Sequence, residues 1–199
     1  MKIDENEFFR QATLRICSSL NVETALSRCM EYLKSFFPLS GMCLGLFDED
    51  LKTMRTIASA GEDEHRPPDI VWFTDDVWTK IRAKEGTYGP MMVVNDVVHH
   101  GGEPFEVEFM DRVFRSRELS VIFMELKLEE QRVGLFMPYA IGTNRFKIEH
   151  VRLLSLIHDP LAIAMSNILR HQEVVNLKLG EFLLSNFHLA VQQQFPSSV

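Results

Sequence analysis

The chain has 199 residues, of which 46% are hydrophobic and 25% are charged, and this composition excludes a fibrous or disordered protein. Its formal charge is −7 and its basic residues are scattered, so we expect no direct binding to nucleic acid. No apolar run reaches the roughly 18 residues of a membrane span, and the start is polar and acidic instead of signal-like, which favours the cytoplasm.

The first third of the chain predicts two helices and a hairpin. Apolar residues recur every three or four positions over 8–20 and again over 22–37, and Asn21 is the predicted N-cap of the second helix. Residues 42–47 and 51–60 then predict two strands, because an acidic turn separates two segments of β-type composition.

The middle of the chain predicts short, irregularly connected elements. Residues 70–73 form a predicted strand, and a short helix follows from Thr74 or Asp75 to Ala83. Residues 91–94 form another predicted strand, and Pro104 opens a helix that continues to Phe114.

The last third predicts a second hairpin and a long helix. The strands cover 119–128 and 132–141, and their inner halves are apolar on both sides, as in a sheet covered on both faces. The helical pattern then extends from about residue 146 to about 178. Pro160 predicts a kink near Leu156 or a restart with Asp159 as the cap.

The order of elements predicts an α+β fold with a central antiparallel sheet. The terminal helices are expected to pack together on one face of the sheet. The irregular middle, with its short helices, is expected to cover the other face.

Two stretches near the C-terminus resemble a known family. The strand–turn–strand sequence SVIFMELKLEEQRVGLFMPY over 120–139 and the helical sequence HDPLAIAMSN over 158–167 resemble the end of a GAF domain. The second stretch, continued to Lys178, is most similar to the N-terminal GAF sensor of bacterial sigma-54-dependent transcriptional regulators. Residues 6–178 would form this domain, and 179–199 would be a tail or the start of a linker.

The resemblance implies a cytoplasmic sensory domain that binds an unidentified small effector or a partner and relays the signal through its terminal helices. It also implies an AAA+ ATPase output domain that regulates transcription, but the phosphate-binding loop of such an ATPase is absent from this sequence. Two alternatives stay open: a ligand-free GAF dimerisation module and, less favoured, a GAF-fold enzyme. No cofactor is assigned.

The candidate ligand pocket is an aromatic and methionine set that lies in the middle segments or opposite them on the sheet. Concave apolar sites of this kind bind small molecules, although for any single residue plain core packing is the favoured explanation. The predicted pocket residues are Trp72, Phe73, Trp78, Met92, Phe109, Met124 and Phe136.

Metal and thiol chemistry find little support in the sequence. Adjacent His99 and His100 point to opposite sides of an extended chain and lack further ligands, so no metal site is assigned. Cys17 and Cys29 lie on helical stripes and Cys43 lies on a strand, which predicts inert thiols. The cysteines of bilin-binding and methionine-sulfoxide-reducing GAF relatives are missing, so we expect no catalytic residue.

The long helix predicts a homodimer, because its first half is apolar on nearly every side. A seam with alternating spacings of three and four would pack across a two-fold axis. Its residues are Leu154, Ile157, Leu161, Ala164, Ile168 and Val175. In the alternative, the N-terminal helix covers this seam within one subunit.

Overall fold

The computed structural model describes residues 3–178, except 62, 84–90, 97–103, 129–130, 172–173 and 175–177. Its helices and strands are α1 (Glu5–Ile16), α2 (Val22–Leu33), β1 (Gly41–Asp48), β2 (Thr53–Gly61), β3 (Ile70–Trp72), α3 (Asp75–Ala83), β4 (Met91–Val94), α4 (Pro104–Phe114), β5 (Leu119–Leu128), β6 (Gln131–Ile141) and α5 (Ile148–Leu156). A 3₁₀ turn covers Asp63–His65, and a further helix, α6, covers 158–171. None of these helices is both long enough and apolar enough to cross a membrane.

The six strands form one antiparallel sheet in the order β3-β2-β1-β6-β5-β4. The two predicted hairpins, β1–β2 and β5–β6, meet in the centre of the sheet through β1 and β6. The predicted α+β architecture with a central antiparallel sheet is therefore confirmed.

Each face of the sheet carries its own core. The terminal face, which includes Leu44, Met124 and Phe136, packs against α1, α2, α5 and α6. The middle face, which includes Cys43 and Phe123, packs against α3 and α4. The predicted division between terminal helices and middle segments is confirmed.

Side-chain caps set where the first two helices begin. The Asp4 carboxylate accepts hydrogen bonds from the amides of Asn6 and Glu7 at 3.0 and 3.2 Å, so α1 begins earlier than its apolar stripe. The predicted cap Asn21 accepts from the Thr24 amide at 2.8 Å. Leu20, predicted on the first helical stripe, lies in the turn between α1 and α2, because α1 ends at Ile16.

The long C-terminal helix is broken, as its proline predicts. The helix α5 ends at Leu156, and Ile157 forms a turn before α6 begins. Asp159 does not cap the restart, because α6 already includes residue 158; its carboxylate instead lies 2.9 Å from Nδ1 of His158. The other ring nitrogen of His158 lies 2.9 Å from the Glu125 carbonyl oxygen, which fastens this junction to β5.

Candidate functional site

The middle face holds a cluster of five aromatic rings, which we call the aromatic cluster. Phe73 stacks on Phe109 with ring centroids 5.4 Å apart and planes 11° apart. Phe109 meets Phe123 edge-to-face at 5.3 Å, and Phe47 meets Trp78 in the same way at 5.7 Å. Phe73 lies 6.2 Å from Trp78 and joins the two groups. These separations are those of favourable aromatic pairs, so the five rings form one continuous contact set.

Polar contacts at the periphery hold the elements that carry these rings. Thr74 caps the N-terminus of α3. Its hydroxyl accepts from the Val77 amide at 3.4 Å, and its carbonyl accepts from the Trp78 amide at 2.9 Å. Arg112 on α4 donates to the Trp72 carbonyl at 3.0 Å and pairs with Glu108 at 2.7 Å. The position of α4 over the sheet is therefore tied to β3.

Four of the five rings keep a small and similar exposure, and Phe47 is only partly buried. Phe73, Trp78, Phe109 and Phe123 are each 7–8% exposed. Other residues of the same core are 0–1% exposed: Val77, Met110, Val113, Phe114 and Val121. The four rings thus form a nearly closed apolar wall that keeps a little more contact with solvent than these neighbours.

The structure brings some of the predicted pocket residues together and separates others. Phe73, Trp78 and Phe109 lie in the aromatic cluster, and Met92 packs beside it, partly buried. Met124 and Phe136 are a correction, because both side chains lie on the terminal face. Trp72 is 59% exposed at the sheet edge and takes no part in the cluster.

Two rings of the cluster were missing from the predicted set. Phe123, which precedes Met124, points to the middle face, and Phe47 lies four residues beyond Cys43 on that face of β1. Side chains alternate between the two faces along each strand, which is why both rings lie on the middle face. The sequence does not reveal which set of alternating residues faces the middle segments, because both faces of the sheet are apolar.

The cysteines give this site no reactive thiol. Cys43 lies fully buried beneath the cluster, and burial raises the pKa of its thiol. Burial likewise raises the pKa of Cys29 on the terminal face to about 12. Both thiols therefore stay protonated and shielded. Cys17, predicted to be buried, is exposed, because it lies just beyond the end of α1.

Within the described residues, no group of three or more His, Cys, Asp or Glu side chains is arranged to hold a metal ion. The candidate pair His99 and His100 lies outside the described residues. Exposed ion pairs lie on the elements around the cluster, such as Lys52 with Asp75 of α3 at 2.6 Å.

The predicted dimer seam is mostly internal to one subunit. Leu154, Ile157, Leu161 and Ile168 are buried on the terminal face, which corrects their assignment to a dimer interface. Residues of both α1 and α2, among them Ile16 and Leu26, pack against this side within the same subunit. Ala164 is half-buried, and Val175 lies outside the described residues.

A small apolar pocket also lies on the terminal face, between α1, α2, β1 and α6. Its free volume for a water-sized sphere is about 20 Å³. Its lining residues are Ile16, Val22, Ala25, Leu26, Cys29, Leu44, Leu161, Ala164, Met165 and Ile168. This space admits little more than one water molecule, whose own requirement is about 10–15 Å³ on this measure, and the wall offers water no polar side chain.

No family model and no curated protein matches the chain. Solved structures resemble it in fold. The phycocyanobilin-bound GAF domain from a cyanobacterial phytochrome has a TM-score of 0.60 and 16% identity, covering 86% of this chain and 99% of that chain. Free methionine-R-sulfoxide reductase from Neisseria meningitidis, in complex with its substrate, has a TM-score of 0.60 and 16% identity, covering 86% and 96%.

A third structure, the GAF domain from Acinetobacter phosphoenolpyruvate-protein phosphotransferase, has a TM-score of 0.56 and 13% identity. It covers 88% of this chain and 99% of that chain. The chain therefore has the fold of GAF domains, as its sequence resemblance implies. At these identities the likeness concerns the fold.

Proposed function

We propose that this chain is a sensory domain that binds a small apolar effector against the aromatic cluster of the middle face. The observation that carries this proposal is the wall of four rings with equal residual exposure, on the face opposite the terminal helices. Aromatic walls with few polar groups are typical of small-molecule sites. The same fold in a phycocyanobilin-bound domain supports the proposal.

The chemistry of the wall selects the class of effector. Phe109 already makes one stacked and one edge-to-face contact, and a planar ring bound next to the cluster would extend the same pattern. Arg112 and Glu108 neutralise each other nearby, so the site offers no unbalanced charge from this pair. We therefore expect an uncharged aromatic or alicyclic molecule.

The signal would leave through the terminal helices. An effector shifts a conformational equilibrium only by the difference between its affinities for two states. Those states would differ in how α4 packs on the sheet, how β4 pairs with β5 at the sheet edge and how α5 begins. In the cytoplasmic regulators that the sequence resembles, an AAA+ output domain would respond and change transcription.

A homodimer would suit this relay, and its interface must differ from the buried seam. Phe9 on α1 and Ile163 on α6 are large apolar side chains that remain exposed. They lie on the two terminal helices, which would carry the signal to an output domain. We propose that these exposed positions contribute to a contact between two copies.

The alternative of a ligand-free dimerisation module rests on the tight ring contacts, which can equally be pure packing. The alternative of a GAF-fold enzyme is weakened by the burial of Cys29 and Cys43, although the reductase from Neisseria meningitidis has the same fold. Binding of a small molecule at the aromatic cluster separates the first proposal from both.

Native mass spectrometry of gently purified protein tests the proposal. We expect a small molecule to be retained, and we expect the Phe109→Leu variant to lose it. Phe114→Leu is the matched control, because Phe114 lies on the same helix and the same face but contacts Tyr139 instead of the cluster, at 5.3 Å. Equal retention by both variants would place the ligand elsewhere, and loss by both would indicate general destabilisation of α4.

A further inference from the structure

A polar junction joins the end of β4 to the start of α5. The side-chain amide of Asn95 pairs with the backbone of Phe146 in both directions. It donates from Nδ2 to the Phe146 carbonyl at 2.7 Å, and its Oδ1 accepts from the Phe146 amide at 3.1 Å. The Asn95 side chain therefore imitates a paired strand residue.

Ser120 on β5 completes this junction, which we call the Asn95 latch. Ser120 is fully buried, and its hydroxyl accepts from the Arg145 amide at 3.1 Å. The same hydroxyl lies 2.9 Å from the Gly142 carbonyl and 3.2 Å from the Asn95 carbonyl. Because a hydroxyl carries one proton, these two carbonyl groups compete for it.

The backbone of the connecting loop is shaped for these contacts. Gly142 has φ of +91° and Asn144 has φ of +56°, conformations that most residues avoid. The Asn144 amide donates to the Asn95 carbonyl at 2.8 Å. Loop 142–145 is thus held in its unusual shape by partners on β4 and β5.

The latch lies between the two cores. On its β4 side, Val94 is buried in the middle-face core that contains the aromatic cluster. On its other side, Phe146 is buried in the terminal-face core, and its ring meets His150 of α5 edge-to-face at 6.0 Å. A displacement of β4 would therefore act on Phe146, which lies directly before Lys147, the N-cap of α5.

We propose that the Asn95 latch couples the aromatic cluster to the N-terminus of α5, so that a change on the middle face alters the order of the first turn of that helix. The proposal rests on the proposed function and names its route of regulation. Hydrogen bonds are suited to such a switch, because they weaken steeply once distance and angle depart from their preferred range.

A double-mutant cycle read by amide hydrogen exchange tests the coupling without any ligand. The reporters are the amides of His150 and Val151, which donate to the Lys147 carbonyl at 3.0 and 3.3 Å and close the first turn of α5. The middle-face perturbation is Phe109→Leu, and the latch perturbation is Asn95→Ala. Asn167→Ala, at an exposed position on α6, is the control.

We expect Asn95→Ala to speed exchange of both amides about tenfold, the factor that corresponds to losing roughly one net hydrogen bond. Phe109→Leu should speed the same amides severalfold in the wild-type background and by little in the Asn95→Ala background. The Asn167→Ala control should leave both the rates and the Phe109→Leu effect unchanged.

The proposal is overturned if Phe109→Leu has the same effect on these amides in both backgrounds, or no effect in either. If Asn95→Ala does not fold, Asn95→Asp takes its place, because the carboxylate still accepts from the Phe146 amide but cannot donate to the Phe146 carbonyl. The exchange experiment uses no effector, so it can reject the coupling while mass spectrometry still supports binding at the aromatic cluster. It can equally support the coupling while mass spectrometry rejects the binding.

Discussion

The two faces of the sheet are packed in different ways. The terminal face is mainly aliphatic, and four helices cover it with residues such as Leu154 and Ile157 that solvent does not reach. The middle face is richer in aromatic rings, and four of them keep 7–8% exposure. This difference is what the proposal of a binding wall on the middle face rests on, with the terminal face contributing mainly stability.

Truncating one phenylalanine on each face should give the largest difference in the free energy of unfolding between the two faces. Phe136→Ala leaves a cavity in the fully buried terminal face, so we expect the free energy of unfolding to fall by about 3–5 kcal/mol. Phe123→Ala should cost about 3 kcal/mol or less, because the partly exposed cluster can collapse into the space. Urea denaturation followed by circular dichroism measures both, and equal costs would contradict the contrast.

Charges placed on α6 test which side of that helix is internal. Ile168→Glu puts a charge into the terminal face and should lower the free energy of unfolding by about 3 kcal/mol or more. Ile163→Glu, at a position 46% exposed, should change it by no more than about 0.5 kcal/mol.

The same pair tests the proposed dimer. Sedimentation velocity should show the wild type as a dimer and Ile163→Glu shifted toward monomer with its fold intact. A wild-type monomer would remove the proposed interface, and a dimer unaffected by Ile163→Glu would place it elsewhere.

Acidification should weaken the start of α5. Nδ1 of His150 accepts from the Lys147 amide at 3.0 Å, and burial is the main cause that lowers the pKa of this histidine. The neutral ring is therefore favoured in the folded state, and its contribution is present above the unfolded pKa and lost as pH falls through the folded pKa. Thermal denaturation between about pH 7.5 and pH 5 should show lower stability on the acidic side.

His150→Gln is the matched variant for this prediction. Glutamine at the third position of a helix can still accept from the capping amide and does not titrate. The variant should therefore keep its stability near neutral pH and lose part of the acid dependence. An unchanged acid dependence would assign the effect to other groups.

The smallest expected difference is in thiol reactivity. Cys17 is exposed and should react promptly with a disulfide reagent, whereas Cys29 and Cys43, one on each face, should react only after unfolding. The raised pKa of both buried thiols adds to their protection. Rapid reaction of Cys43 in the folded protein would mean that the middle face opens more widely than its packing indicates.

The sequence predicts the order and type of the elements well, because periodicity, caps and Pro160 act locally. It does not predict which side of a strand faces which core. Along 121–124 every residue is apolar, so no difference in polarity shows that Phe123 and Met124 face different cores. The same ambiguity placed Phe136 in the wrong core.

Long-range packing also escaped prediction. The seam through Leu161 and Ile168 has the spacing of a helix interface, and that spacing does not tell whether the partner helix belongs to the same chain. The Asn95 latch has no sequence signal at all, since Asn95 and Phe146 are 51 positions apart and one partner is backbone. Such contacts become visible only when the sheet is assembled.

Fluorescence of the two tryptophans tests the central claim, binding at the aromatic cluster, most directly. Trp72→Phe leaves only Trp78, inside the cluster, and Trp78→Phe leaves only the exposed Trp72. Each variant is titrated with the same set of small uncharged aromatic compounds. We expect a saturable change in Trp78 emission with at least one compound and none in Trp72 emission. No saturable response from Trp78, or equal responses from both tryptophans, would contradict it.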